Sequence, residues 1–305
     1  MPNNPVSLTL ASWVAAATNR LSSLSSARLD AELLLCHSLG IKRTDLYAWP
    51  DKVIDAANFE ALEKNLQARI DGKPLAYITG VKEFWSLPIN VTPDVLIPRA
   101  DTEVLVEHAL MVYRQTGGPV LEMGTGSGAI AIALASELKS PITASDISEA
   151  AIQVATGNAE RLVPGLINLV HGNWGTPFEN NRFKLIVSNP PYISPQDPHL
   201  RAPALKFEPQ NALLSAKQGL ADIEQILIDA QRIGTHDCTV ILEHGYNQGI
   251  QVRELMEKYD YNYIESKRDL AGHERITVAK TTVGKTGSST ATNENGRNQQ
   301  DVRCN

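Results

Sequence analysis

Residues 119–138 read PVLEMGTGSGAIAIALASEL. Pro119 to Met123 is a short apolar run bounded by a turn signal, which predicts a buried strand. Three alternate glycines follow, Gly124, Gly126 and Gly128, and then an alanine- and isoleucine-rich helix from Gly128 to Leu138. Glycine lets a backbone turn sharply and lets a ligand approach with no Cβ in the way. The free N–H groups of the helix start face the same turn. Strand, glycine turn and helix in this order form the opening unit of an α/β sheet.

The rhythm continues downstream. Strands are expected at Ile142 to Asp146, Ile167 to His171, Leu185 to Asn189, Thr239 to Glu243, Tyr261 to Glu265 and Arg275 to Ala279. Helices are expected at Ser148 to Arg161, Ile223 to Ile233 and Gln248 to Tyr259. Such alternation implies a mostly parallel sheet of seven strands covered by helices on both faces. The last two strands are close enough in sequence for the final one to run antiparallel. Between Ser194 and Gln218 the rhythm breaks, with prolines at 195, 198, 203 and 209. A long loop directly after a site motif predicts a substrate-facing segment.

Upstream, residues 7 to about 75 read as helical. Leu29, Leu33 and Leu34 suggest one buried helix face, and Phe59, Leu62, Leu66, Ala68 and Ile70 another, ending near Gly72 and Pro74. Phe84 to Val91 reads as a hairpin or extended connector, and Asp101 as the cap of a helix running to Arg114 with Val104, Leu105, Ala109 and Val112 on its apolar side. The expected organisation is a helical domain over residues 1–75, a hairpin linker over 76–95, a catalytic α/β domain over 96–280 and a disordered polar tail over 281–305.

Composition narrows the function classes. The formal net charge is -6 with a sequence pI of about 5.7, which argues against a surface built for naked nucleic acid. Cys36, Cys238 and Cys304 lie far apart with no CxxC spacing, so neither a disulfide framework nor a metal site is expected. Met1 to Leu10 shows no basic region followed by an apolar core, and no apolar run is long enough to span a bilayer. A soluble cytoplasmic monomer that binds neither membrane nor nucleic acid is the expectation.

Two clusters carry chemistry. The first is the glycine turn, Gly124, Thr125, Gly126, Ser127 and Gly128, together with Asp146 about twenty residues on. A carboxylate at the end of the second strand can accept from both hydroxyls of a ribose. NAD and S-adenosylmethionine both present that ribose, so Asp146 does not choose between them. Glu122 can hold the turn from beneath or face a cationic part of the ligand; near a pyrophosphate it would be unfavourable. Asn173 and Trp174 follow the third strand, where an adenine edge and face would lie.

The second cluster is Ile186-Val187-Ser188-Asn189-Pro190-Pro191-Tyr192-Ile193. An apolar run stops at an Asn held by two prolines, with an aromatic next to them. The Asn189 side-chain oxygen and the Pro190 carbonyl can accept two hydrogen bonds from one planar NH2 group. Pro190 has no N–H to compete as a donor. Tyr192 is expected to cover the flat face.

Together, Glu122 with Gly124, Gly126 and Gly128, Asp146, Asn173-Trp174 and Asn189 to Tyr192 resemble the class I S-adenosylmethionine-dependent methyltransferases. Within them the chain resembles the HemK/PrmC family of peptide chain release factor N5-glutamine methyltransferases, over about residues 8–280. Further blocks support the likeness: Glu83 to Pro88, Leu96 to Glu103, Gln196 to Leu200, Phe207-Glu208-Pro209 and Leu242 to Gly245. The resemblance implies a Rossmann-like catalytic domain behind a helical substrate-recognition domain. It implies S-adenosylmethionine as cofactor and the glutamine of the Gly-Gly-Gln loop of bacterial release factors as substrate. It assigns Gly124 to Gly128, Asp146, Trp174 and Asn189 to the cofactor, and Asn189, Pro190, Pro191 and Tyr192 to the glutamine. Ala100 stands where the family often has Pro, and Asn173 where it often has Asp. The alternatives are a glutamine methyltransferase of a ribosomal protein, an adenine-N6 DNA or RNA methyltransferase, a non-catalytic nucleotide-binding scaffold and, with the least support, an NAD oxidoreductase.

Overall fold

The computed structural model describes residues 8–282. Most of the tail expected to be disordered therefore lies outside the described residues.

Five helices open the described chain: α1 (Leu10–Arg20), α2 (Ala27–Leu39), α3 (Arg43–Ala48), α4 (Ala56–Ile70) and α5 (Leu75–Thr79). Thr9 and Ser12 form a reciprocal cap on α1, which satisfies amides that have no partner within the helix. Leu10, Trp13, Ala17, Leu34, Leu35, Leu62 and Leu66 make the core of this bundle. Two expectations about its faces change. Leu29 is exposed, because α2 turns Ala27, Ala31, Leu34 and Leu35 inward. Small residues at 27 and 31 suit close approach of α1, the neighbour with which α2 packs most extensively. On α4 only Leu62 and Leu66 are buried; Phe59 and Ile70 face outward.

A two-stranded hairpin follows, β1 (Val81–Phe84) and β2 (Leu87–Asn90), with Trp85 and Ser86 both at positive φ as a two-residue hairpin turn requires. The hairpin is anchored to the α/β region by Asn158. That side chain accepts from Asn90 N and donates to the carbonyls of Asn90 and Ser127.

Next come α6 (Glu103–Thr116), β3 (Val120–Met123), α7 (Ala129–Leu138), β4 (Ile142–Asp146), α8 (Glu149–Leu162), β5 (Ile167–His171) and β6 (Phe183–Ser188). The described chain ends with α9 (Ala221–Ile233), β7 (Gly234–Glu243), α10 (Gly249–Lys258), β8 (Asn262–Arg268) and β9 (Glu274–Lys280). The strands form one seven-stranded sheet in the order β5-β4-β3-β6-β7-β9-β8. β3 to β7 are parallel, and β9 runs antiparallel to both neighbours. The fold is the class I Rossmann-like methyltransferase fold. Strand residues alternate between two cores. One lies under α6, α7 and α8, and the other holds Leu121, Met123, Ile186, Val240 and Leu242 against α9 and α10.

Asp101 does not cap α6. A 3-10 turn over Ala100–Thr102 precedes the helix, Thr102 takes the N-cap position, and the Asp101 carboxylate pairs with Arg275 at 3.1 Å instead. β6 ends at Ser188, one residue before the expected limit, so Asn189 stands just beyond the strand.

Candidate active site

The order of the strands decides where a ligand can sit. From β3 the chain winds outward through β4 and β5, then crosses to β6 on the other side of β3. The carboxyl ends of β3 and β6 therefore flank the topological switch point, where open α/β sheets bind ligands. Met123 and Ser188 are register partners there, and Ser188 Oγ donates to the Met123 carbonyl at 2.6 Å. The glycine turn thus leaves one strand and Asn189 leaves the next, side by side. Above them is a cavity of about 330 Å³, within the range of small-molecule sites.

At one end of the cavity the turn is held by local bonds. Gly124, Gly126 and Gly128 all have positive φ. The amides of Gly124 and Thr125 donate to the Ser145 carbonyl at 2.8 and 2.9 Å. Asp146 accepts from Gly126 N at 2.8 Å and from Ser148 N at 2.9 Å. Burial raises its pKa against those amide bonds. The Ser148 side chain caps α8.

Glu122 lies fully buried beneath the turn. One oxygen accepts from Thr125 Oγ1 at 2.6 Å and from Ala131 N at 2.9 Å; the other has no partner among the described residues. Burial pushes its carboxyl up to about 8. Glu122, Gly124, Thr125, Gly126, Ser127, Asp146, Asn173 and Trp174 all line the cavity. Gly128 does not. It is the N-cap of α7, where an added Cβ would come 3.0 Å from Ile132 and 3.2 Å from Ala155.

At the other end, Asn189 and Pro191 line the wall with Thr102 and Arg99. Asn189 Nδ2 donates to Thr102 Oγ1 at 3.1 Å, which leaves Oδ1 to accept. Pro190 is not among the lining residues. Tyr192 departs from expectation. Its ring packs with the α9–α10 core, its hydroxyl donates to Glu243 Oε1 at 3.3 Å, and it does not line the cavity. A phenol that would otherwise be stranded in apolar surroundings finds its acceptor at the end of β7. Tyr192 therefore packs behind Asn189 and Pro191 and does not face the cavity, where it was expected.

Several participants have no individual signature in the sequence. Glu208, from the 194–218 loop, is buried and accepts from Arg99 at 2.5 Å and from Ile97 N at 3.3 Å. This ion pair ties the loop to the wall that carries Thr102. Gln248 donates to the carbonyls of Tyr192 and Gln218 at 3.0 and 3.2 Å. Glu243, fully buried, is pushed up to about 7 by burial against the Thr102 and Tyr192 hydroxyls and Arg275. Arg99, Glu208 and Glu243 stood in short blocks of sequence without an evident partner, and Gln248 only at the start of an expected helix. No cluster of three or more metal-type ligands occurs among the described residues.

Comparison with known proteins shows the family of the chain. The family described as PrmC N-terminal domain matches residues 12–80, and Methyltransferase small domain matches residues 100–217. A Vibrio cholerae protein named release factor glutamine methyltransferase is 43% identical over 279 residues, covering 90% of this chain and 98% of that protein. Proteins of the same name from Pseudomonas aeruginosa and Escherichia coli are 42% and 40% identical, covering 86% and 88% of this chain and 95% and 97% of their own lengths. The chain belongs to the release factor glutamine methyltransferase family. The hMettl16 catalytic domain, crystallised with a MAT2A 3′UTR hairpin, superposes with a TM-score of 0.50 at 13% identity, over 76% of this chain and 84% of that one. That likeness extends to the fold.

The cofactor of this methyltransferase is S-adenosylmethionine. The cavity suits it. Glu122, with one buried oxygen that has no partner among the described residues, and Asp146, braced by backbone amides, both line the cavity. Above Gly126 the space is open.

Proposed function

We propose that this enzyme methylates the N5 nitrogen of the glutamine in the Gly-Gly-Gln loop of bacterial peptide chain release factors. One observation carries the proposal. Asn189 stands beside the glycine turn across the switch point, with its NH2 tied to Thr102 and its oxygen left to accept.

An amide nitrogen is a poor nucleophile because its lone pair is delocalised into the carbonyl. S-adenosylmethionine supplies an activated methyl group on a cationic sulfur. The protein supplies position. Asn189 Oδ1 and the Pro190 carbonyl accept the two N–H groups of the substrate carboxamide and aim its nitrogen along the cavity toward the turn. Holding reactants in this way can contribute about 7–11 kcal/mol toward the barrier in well-oriented systems. No side chain in reach is assigned as a dedicated base; the proton lost after transfer goes to water. Gly124 to Ser127, Asp146, Asn173 and Trp174 hold the cofactor, and Glu122 sets the shape of the turn.

The helical domain carries the recognition surface for the protein substrate. Exposed Tyr47, Trp49 and Val53 at the end of α3 and beyond support that role. The enzyme acts as a cytoplasmic monomer directly on protein, with no nucleic acid needed. No helix among the described residues is long and apolar enough to cross a membrane.

The test is mass spectrometry of a release factor incubated with the enzyme and isotopically labelled cofactor. The expected result is one labelled methyl on the peptide containing Gly-Gly-Gln, located on the glutamine side chain. Label on a ribosomal protein or on an adenine-containing oligonucleotide, with none on the release factor, would overturn the assignment.

A further inference from the structure

The amide clamp, Asn189 with the Pro190 carbonyl, sits on a segment poor in donors of its own. Pro190 and Pro191 have no N–H, so half of the stretch from Asn189 to Tyr192 donates nothing from its backbone. The proline rings fix φ, and the direction of the Pro190 carbonyl then depends on how the chain is held on either side. On one side is the sheet, where Ser188 is the register partner of Leu242 in β7. On the other side a side chain from a distant part of the chain holds the Tyr192 carbonyl. That side chain is Gln248.

Gln248 is buried, and its side chain bonds only to backbone atoms. Oε1 accepts from Gly245 N at 2.8 Å, and Nε2 donates to the carbonyls of Tyr192 at 3.0 Å and Gln218 at 3.2 Å. A backbone N–H only donates and a carbonyl only accepts, so these partners leave the amide one orientation. Gln248 N also donates to the Gly245 carbonyl at 2.9 Å, and this reciprocal pair aims the NH2 away from the turn after β7. Gln248 holds the N-cap position of α10, yet its side chain caps nothing there. It is committed to the loop instead. The two carbonyls it joins are the feet of the 194–218 loop, and Gln218 sits in a left-handed stretch with Lys217 and Gly219. Just inside the feet, Ile193 N donates to the Leu213 carbonyl at 3.0 Å and Ser215 N to the Ile193 carbonyl at 2.9 Å. This pairing brings Asn211, Ala212 and Leu214 to the cavity wall.

We propose that Gln248 is a positioning residue for methyl transfer: its NH2 holds the backbone behind the clamp and both feet of the loop in one register, and so sets the direction in which the Pro190 carbonyl meets the substrate amide. The proposal rests on the amide-methylating function above and adds to it the group that keeps a proline-rich acceptor segment in place.

Gln248→Met keeps the length of the side chain and removes all three bonds. Gln248→Glu keeps an oxygen for Gly245 N and replaces the NH2, which served two carbonyls, by a group that donates once as an acid and not at all as a carboxylate. The expected kcat for release factor methylation falls about tenfold or more in Gln248→Met, since a small misplacement of a reacting group carries penalties of that order. KM for the release factor and affinity for S-adenosylhomocysteine change far less, because the bonds of Gln248 go to Gly245, Tyr192 and Gln218 and not to the glycine turn or Asp146. Hydrogen exchange of the folded variant quickens in peptides spanning Ile193 to Ser215 and stays unchanged in those spanning Val120 to Ala131. A role confined to stability predicts a lower urea midpoint with the kcat of the folded enzyme unchanged. That outcome, or unchanged exchange from Ile193 to Ser215, overturns the proposal. Should Gln248→Met fail to fold, Gln248→Glu, which retains the Gly245 bond, carries the same comparison. A wild-type enzyme that leaves the release factor unmethylated strikes the function itself, and is recognised before any variant is compared.

Discussion

The two ends of the cavity are built in different ways. At the cofactor end, the bonds of Glu122 and Asp146 span 20 residues at most, within one strand–helix–strand unit. Glu122 reaches Thr125 and Ala131, and Asp146 reaches Gly126 and Ser148. At the amide end the supports come from far away in sequence: Thr102 for Asn189, Glu243 and Gln248 for Tyr192, Glu208 for Arg99. The cofactor end is a local turn that the α/β unit makes for itself. The amide end exists only after the 96–103 segment, the 194–218 loop and the ends of β6 and β7 have come together. A cofactor is common to many reactions, whereas an acceptor pair aimed at one amide must be assembled for one substrate.

The largest effect should come from removing the clamp. Asn189→Ala deletes one of two acceptors and is expected to lower kcat by about 10²–10³-fold, as loss of one preorganised polar partner does elsewhere. Affinity for S-adenosylhomocysteine, measured by calorimetry, should fall far less, because the turn and Asp146 remain. Comparable losses in binding and in turnover would show that the two ends do not divide the work in this way.

That division also explains what could be read in advance. The seven strands, their helices and the glycine turn were legible because each depends on periodicity and neighbours within a few residues. Asp146 and Asn189 were legible because one ends a strand and the other directly follows one. Tyr192 was placed in the wrong part of the site because nothing near it in sequence announces Glu243. Asp101 looked like a cap because Arg275, its partner, lies at the far end of the chain. Leu29 looked internal because leucine spacing alone does not distinguish which of two adjacent faces meets α1. The Arg99–Glu208 pair was visible only as two separate blocks; their meeting is a fact of tertiary structure.

A second comparison uses one substitution at both ends. Gly219 has φ +89, and an added Cβ would lie 2.1 Å from the Tyr192 carbonyl oxygen and 2.7 Å from Gln248 Nε2. It closes a short left-handed stretch with Lys217 and Gln218, also at positive φ. Gly219→Ala must displace the backbone of the clamp and should cost about 2–3 kcal/mol of stability, the upper part of the usual range for single substitutions. Gly126 has φ +54 with nothing within 4 Å of the added Cβ. Gly126→Ala should cost about 1–2 kcal/mol from the left-handed conformation alone, and its methyl group should weaken cofactor binding. Urea unfolding of the two variants gives the stabilities. Equal losses would mean that the strained turn behind Tyr192 yields more easily than its contacts imply.

The smallest expected effect concerns a feature the two ends share. Each keeps a buried carboxylic acid, Glu122 pushed up to about 8 and Glu243 to about 7, in both cases chiefly by burial. In the unfolded chain both would titrate near the ordinary value of 4.5. Between that value and about 7–8 the folded protein holds protons that the unfolded chain has released. Proton linkage then lowers stability as pH rises through this window, and the stabilising state is the protonated one. Glu224 works in the other direction, held down to about 2 by bonds from Lys217, Lys258 and Tyr259, but its contribution changes only below the window. The urea midpoint should therefore decline from pH 5 to pH 8. Glu122→Gln preserves an oxygen for Thr125 and Ala131 and cannot titrate, so its decline should be shallower than that of wild type. The remaining slope should fall again in the double variant with Glu243→Gln. If Glu122→Gln runs parallel to wild type across the whole window, the carboxylate under the turn is already ionised in the folded protein.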